Sequence, residues 1–200
     1  MFGMIKKIEK VKISNSIYHE LKNEAVRGEQ NNIVVCGVLL GDIGYINVGL
    51  KMIYQAKCSQ IINYETLQSN KALISPLKVR EGLFFGNSYN IYLPDPKIIN
   101  KQKNAIGIYA FFPRNLKKLE ENIKKRYRNK GGSFKFMLLT SFKDANIISK
   151  KEKSVKGISG FLKTNEINEL QILKSRIHSM QMNIVCLQKN MNPVSVEIVV

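Results

Sequence analysis

The sequence predicts an α/β domain in which helices flank a mixed β-sheet, followed by a long C-terminal helix. Three observations carry this reading. A continuous apolar run of strand length occupies residues 33–40, and further strand-like segments lie at 105–112 and 134–142. Apolar residues at helical spacing lie between or before them, over residues 14–28 and 116–127. From Leu170 to Met191 apolar residues recur alternately three and four apart. Helix, hairpin, strand, helix, strand in that order suits helices covering a mixed sheet. The expected organisation is a domain over residues 1–150, a connector over 151–163, and a heptad-patterned helix with a short tail over 164–200.

Taken in order, residues 14–28 read as a helix. Ser14 or Asn15 can cap it, Ile17, Leu21 and Ala25 share a face, and Gly28 offers a stop. Residues 33–40 form an uninterrupted apolar run, as in a strand buried on both faces. A turn is expected at 41–44, then a second strand over 45–53, where Ile46, Val48, Leu50 and Met52 alternate with Asn47, Gly49 and Lys51. Over 76–80 a helix could begin, with Gly82 and Gly86 interrupting it. Residues 89–93 read as a strand bounded by Pro94 and Pro96. After the strand at 105–112, Pro113 suits the first turn of a helix with Leu116, Leu119, Ile123 and Tyr127 on one stripe, ended by Gly131 and Gly132. Residues 134–142 form another strand, and the Lys-, Ser- and Gly-rich segment 143–163 reads as a connector with room for one short strand.

The C-terminal pattern is the strongest periodic signal. Leu170, Leu173, Ile177, Met180, Ile184, Leu187 and Met191 make an a/d seam over three heptads, capped by Thr164 or Asn165 and closed by Pro193. Such a seam needs a facing helix. The reading adopted is an intermolecular partner, with folding back onto the domain as the alternative. Lys174 and Arg176 flank the seam and favour an acidic neighbour.

Composition narrows the function classes. The hydrophobic content of 44% is that of an ordinary globular chain. Cys36, Cys58 and Cys186 show no paired spacing, which favours a reducing compartment, cytoplasmic or nuclear. Residues 1–12 lack the apolar core of roughly 7–15 residues that marks a signal peptide, and no run approaches the ~20 apolar residues of a membrane-spanning helix. The net charge of +17 raises nucleic acid as a partner. Lysine heavily outnumbers arginine, however, and the richness in Ile and Asn suits an AT-rich coding bias, so only weak, salt-sensitive RNA binding is expected. The densest cluster, Lys124, Lys125, Arg126, Arg128 and Lys130, reads first as a solvated helix end complementing the macrodipole, and second as a patch for RNA or an acidic protein. No Gly-rich phosphate loop is present, and neither Ser133 nor Ser141 has a histidine in motif context. His19 and His178 stand far apart on expected helices and read as ordinary surface or packed histidines.

The runs Ile33 to Gly41 and Ile106 to Pro113 resemble the two signature strands of the MPN domain family, and the resemblance extends over about residues 11–148. Its specific parts are Gly37-Val38-Leu39-Leu40-Gly41 and Gly107-Ile108-Tyr109. Active members read Gly-x-Tyr-His-Ser/Thr-His-Pro in the second strand and use the two histidines and a later aspartate to hold zinc. Here Ala110 and Phe112 stand at the histidine positions, Ile123 at the aspartate, Glu120 at the preceding serine, and Val34 at the general-base glutamate. The resemblance therefore implies a cytidine-deaminase-like mixed sheet, no zinc or other cofactor, no isopeptidase activity, and an old metal pocket filled by apolar side chains. The absence of a ligand set supports the same expectation directly, because Ala110 and Phe112 offer a metal no lone pair.

The non-catalytic branch of that family supplies scaffolds to large assemblies. The implied partners are another MPN-domain subunit and the helical-bundle subunits of the same complex. The tail fits a place in the proteasome regulatory lid beside a catalytic MPN deubiquitinase. Ala110 and the basic charge fit the alternative, a component like the f and h subunits of eukaryotic translation initiation factor 3. A divergent metal-dependent isopeptidase using other ligands is the remote alternative.

Overall fold

Val11 and Ile13 alternate with Lys10, Lys12 and Ser14, the period of a strand, and Lys10–Ser14 forms strand β1. The computed structural model describes residues 8–70, 74–80, 88–95, 104–130, 135–142, 182–188 and 190–199. Ser14 starts helix α1, Asn15–Asn31, its hydroxyl accepting the Ile17 N–H at 3.3 Å. The helix runs past Gly28 and stops at Asn32, a left-handed residue with φ 50°. Strands β2, Val35–Val48, and β3, Lys51–Ile62, make a long hairpin whose turn is at Gly49, φ 60°. The turn expected at 41–44 is absorbed into β2, where the register against β3 shifts between Leu40 and Gly41.

Asn63 caps the short helix α2, Tyr64–Ser69, by accepting the Thr66 N–H at 2.9 Å. Strands β4, Ile74–Arg80, and β5, Ser88–Pro94, pair antiparallel as a separate two-stranded sheet. The helix start expected at 76–80 is therefore strand. Strand β6, Ala105–Phe111, leads through Pro113 into a 3-10 turn, Arg114–Leu119, and helix α3, Glu120–Lys130. Strands β7, Phe136–Phe142, β8, Met182–Gln188, and β9, Pro193–Val199, complete the described elements.

Among the described residues, seven strands close into a barrel in the order β1-β3-β2-β6-β7-β8-β9, with β9 returning to β1. The pairs β1–β3, β1–β9 and β6–β7 are parallel and the others antiparallel. This corrects the expected fold class. The helix-flanked α/β sheet followed by a long C-terminal helix is replaced by a strand-dominated closed barrel. The reason lies in the tail. Ile184 packs on one apolar cluster and Leu187 on the other, as residues of opposite parity do in a strand. β8 is satisfied by antiparallel pairing with β7, Leu138 opposite Cys186, rather than by intrahelical bonds. Met191 is a left-handed turn residue, φ 67°, between β8 and β9. The seam therefore does not exist at Ile184, Leu187 and Met191; Leu170, Leu173, Ile177 and Met180 lie outside the described residues, as does His178.

Strand alternation divides the core in two. Tyr109 and Phe111 join a cluster with Ile17, Leu21 and Ala25 of α1, while Ile108 and Ala110 join a second one. Helix α1 touches six of the seven barrel strands, so it covers the concave side of the wrapped sheet. The second cluster lies on the other face of β2, β6 and β7, beneath Leu67 of α2, Ile91 and Leu93 of β5, and the stripe Leu116, Leu119, Ile123 and Tyr127. Among the described residues no helix is long and apolar enough to cross a membrane.

Candidate functional site

The second cluster contains the positions that the resemblance singles out. β2 and β6 run antiparallel with Val35 opposite Phe111, Cys36 opposite Ala110 and Gly37 opposite Tyr109. Val34 and Phe112 flank the end of that ladder. Pro113 then turns the chain so that α3 folds back and delivers Ile123 to the same cluster. Val34, Ala110, Phe112 and Ile123 are thus gathered in one place, at 8%, 1%, 4% and 0% exposure. Glu120 is not part of it. Its carboxylate accepts from Lys124 Nζ at 2.7 Å, one turn along its own helix.

The cluster is built almost entirely of apolar side chains. Its one cysteine thiol, Cys36, is pushed far above the ordinary thiol range by burial. Burial likewise pushes Cys58 up to about 12 and raises Cys186 further. All three cysteines are free and buried. Among the described residues no group of three or more His, Cys, Asp or Glu side chains is placed to hold a metal ion. His19 is exposed on α1, edge-on to Tyr18 with ring centroids 5.8 Å apart.

On the opposite side of the same strands is a polar junction that the sequence reading missed. Tyr109 donates its hydroxyl to Glu24 Oε2 at 3.1 Å, and the Tyr64 backbone N–H donates to the same oxygen at 2.9 Å. Arg27 Nη1 donates to Glu24 Oε1 at 3.3 Å and pairs also with Glu65. Burial, then the Glu24 charge, holds the Tyr109 hydroxyl well above its usual range, so it remains a donor. One carboxylate thereby ties α1, β6 and the start of α2 together. The signal was legible: Glu24 lies on the helix face of Leu21 and Ala25, and a carboxylate on a buried face needs partners.

The basic residues of the candidate patch do sit on one helix. Lys125 and Arg128 are exposed and Arg126 is half-buried, while Lys124 is engaged by Glu120 and by Glu121, each at 2.7 Å. Lys130 is the last residue of α3.

No protein-family model matches the chain, and no curated protein matches it.

Proposed function

We propose that this protein is a non-catalytic scaffold of the MPN type, holding a partner subunit in a larger assembly of the cytoplasm or nucleus rather than hydrolysing an isopeptide bond. One observation carries the reading. Val34, Ala110, Phe112 and Ile123, scattered over ninety residues, meet in one sealed apolar cluster, and these are the positions where the resemblance would put a base and three metal ligands. Their convergence supports the resemblance, and their apolar character supports loss of the chemistry.

A second observation supports a binding role. The β2–β3 hairpin exposes Tyr45, Val48, Leu50 and Met52 near its turn, with Leu50 fully in solvent. Tyr45 and Met52 share one face of the hairpin, Asn47 standing opposite Met52, and exposed apolar side chains close together suit a partner surface. The bundle-forming C-terminal helix is not part of this proposal, since Met182–Gln188 and Pro193–Val199 are strands of the barrel.

The test is affinity purification of the full chain from its native cell. Recovery of regulatory-lid subunits, including a second MPN-domain subunit, is the expected result, and recovery of initiation factor 3 subunits would assign it to the alternative assembly. Leu50→Asp should weaken that recovery while leaving thermal melting unchanged. Stoichiometric zinc in the purified protein together with cleavage of a ubiquitin dimer would overturn the proposal.

A further inference from the structure

The charge of the described residues is segregated. Over residues 114–130 eight Lys and Arg stand against two Glu, whereas over all other described residues nine Lys and Arg stand against eight Asp and Glu. Nearly all the surplus positive charge of the described barrel thus resides in one 17-residue stretch, the 3-10 turn and α3. Both glutamates of that stretch are directed at a single lysine, Lys124. Its apolar residues, Leu116, Leu119, Ile123 and Tyr127, all face the second core cluster and are buried. What remains outward includes Lys117, Lys125 and Arg128, with Asn122 and Asn129 between them.

We infer that this outer face is a docking surface for the phosphate backbone of double-stranded nucleic acid, bound without reading its sequence. A surplus of cations that, among the described residues, is concentrated on one element suits a polyanion partner. The face has no exposed large apolar side chain among its described residues, whereas a protein interface is organised around apolar or aromatic anchors. Lys, Arg and Asn without such anchors are the side chains that contact phosphates. Single strands are held by stacking on aromatic rings, and the one aromatic residue of the stretch, Tyr127, is in the core. Backbone contact to a duplex is what this chemistry leaves. The inference rests on charge and burial alone and is independent of the scaffold reading.

The experiment is fluorescence anisotropy of a labelled DNA duplex of about 20 base pairs with the full chain, between about 50 and 200 mM salt. The variant K117Q/K125Q/R128Q removes three exposed cations from the face. A matched variant, K22Q/K51Q/K57Q, removes the same charge from α1 and β3. Each lost phosphate contact should lower the slope of log affinity against log salt by about 0.9, so the first variant's affinity change over that range shrinks by about forty-fold. The matched variant should keep nearly the full slope. Equal losses in both variants would mean diffuse charge and overturn the inference. So would a polyglutamate competitor displacing the duplex as well as unlabelled duplex does, since that would make the partner an acidic protein. Equal or tighter binding of a single strand would overturn it too. Thermal melting of both variants verifies that the fold is retained.

Discussion

Gly37 and Tyr109, one on each of two neighbouring strands, touch each other. They face one another across the β2–β6 ladder, and a Cβ at position 37 would lie 2.2 Å from the Tyr109 ring. The glycine is there because the ring lies flat against its backbone, and the ring is there because its hydroxyl must reach Glu24. Both are needed for packing. Gly37→Ala should therefore displace the ring and break its bond to a buried carboxylate. The expected loss is about 3 kcal/mol, the sum of overpacking and a lost charged hydrogen bond, read as a lower urea midpoint. Added to Tyr109→Phe, the two effects should be strongly non-additive, because the ring's displacement forfeits a bond that Phe already lacks. A change under about 1 kcal/mol for Gly37→Ala would show that the ring has room to shift.

At the level of elements, the barrel closes where β9 meets β1 in parallel register, Lys10 opposite Ser195 and Lys12 opposite Glu197. Glu197 pairs there with Lys10, and with Lys12 at 3.8 Å. The Lys10 hydrogen bond, with Lys12 beside it, holds the Glu197 carboxyl below the usual carboxylate range. A carboxyl lowered in the folded state adds stability that is complete above its unfolded pKa, about 4.3, and disappears as the pH falls through the folded value. Glu197→Gln should therefore shrink the drop in melting temperature between pH 6 and pH 3, and an unchanged drop would remove Glu197 from acid sensitivity. β9 was missed: residues 193–199 read only as a short tail, although Val194, Val196 and Ile198 alternate there with Ser195 and Glu197. Strands at 89–93, 105–112 and 134–142 were legible as strand-length segments and formed within two residues of the expected bounds. β8 was not. Ile184 and Leu187, three apart, share a helix face but lie on opposite faces of a strand, and a seven-residue seam outweighed the local alternation of Met182, Ile184 and Cys186. The bulge at Leu40 and Gly41 hid the length of β2, because two glycines near a charged residue carry the composition of a turn. Of the candidate site, the apolar positions were legible through the resemblance alone. That they meet depends on Pro113 folding α3 back over the sheet, which no local pattern encodes.

For the molecule as a whole, closure joins residues 10–14 to 195–199, and nothing local announces a contact between chain segments so far apart. β8 and β9 form the bridge: β8 pairs with β7, β9 with β1, and Gln188 Nε2 donates to the Ile8 carbonyl at 2.8 Å, buried, to fasten the seam. Met182 and Cys186 belong to the same core cluster as α1. Ending the chain before residue 182 should therefore do more than remove a tail. It strips β7 and β1 of a ladder each, leaving two unpaired edges that a closed barrel avoids. It also opens the concave cluster to water at the place where α1 packs against β1 and β7. The expected product keeps the β2–β3 hairpin, whose pairing of one strand with the other is local, but loses cooperative melting, binds a hydrophobic dye, and self-associates on size exclusion. Adding residues 182–200 back as a separate peptide should restore a cooperative transition in proportion to peptide concentration, since binding to the folded state alone stabilises it by mass action. A shortened chain that melts cooperatively near the full-length temperature would mean that β1 to β7 hold together as an open sheet and that the two last strands merely dock on it. The peptide titration separates these cases, because only a barrel that needs its closing strands gains cooperativity from their return.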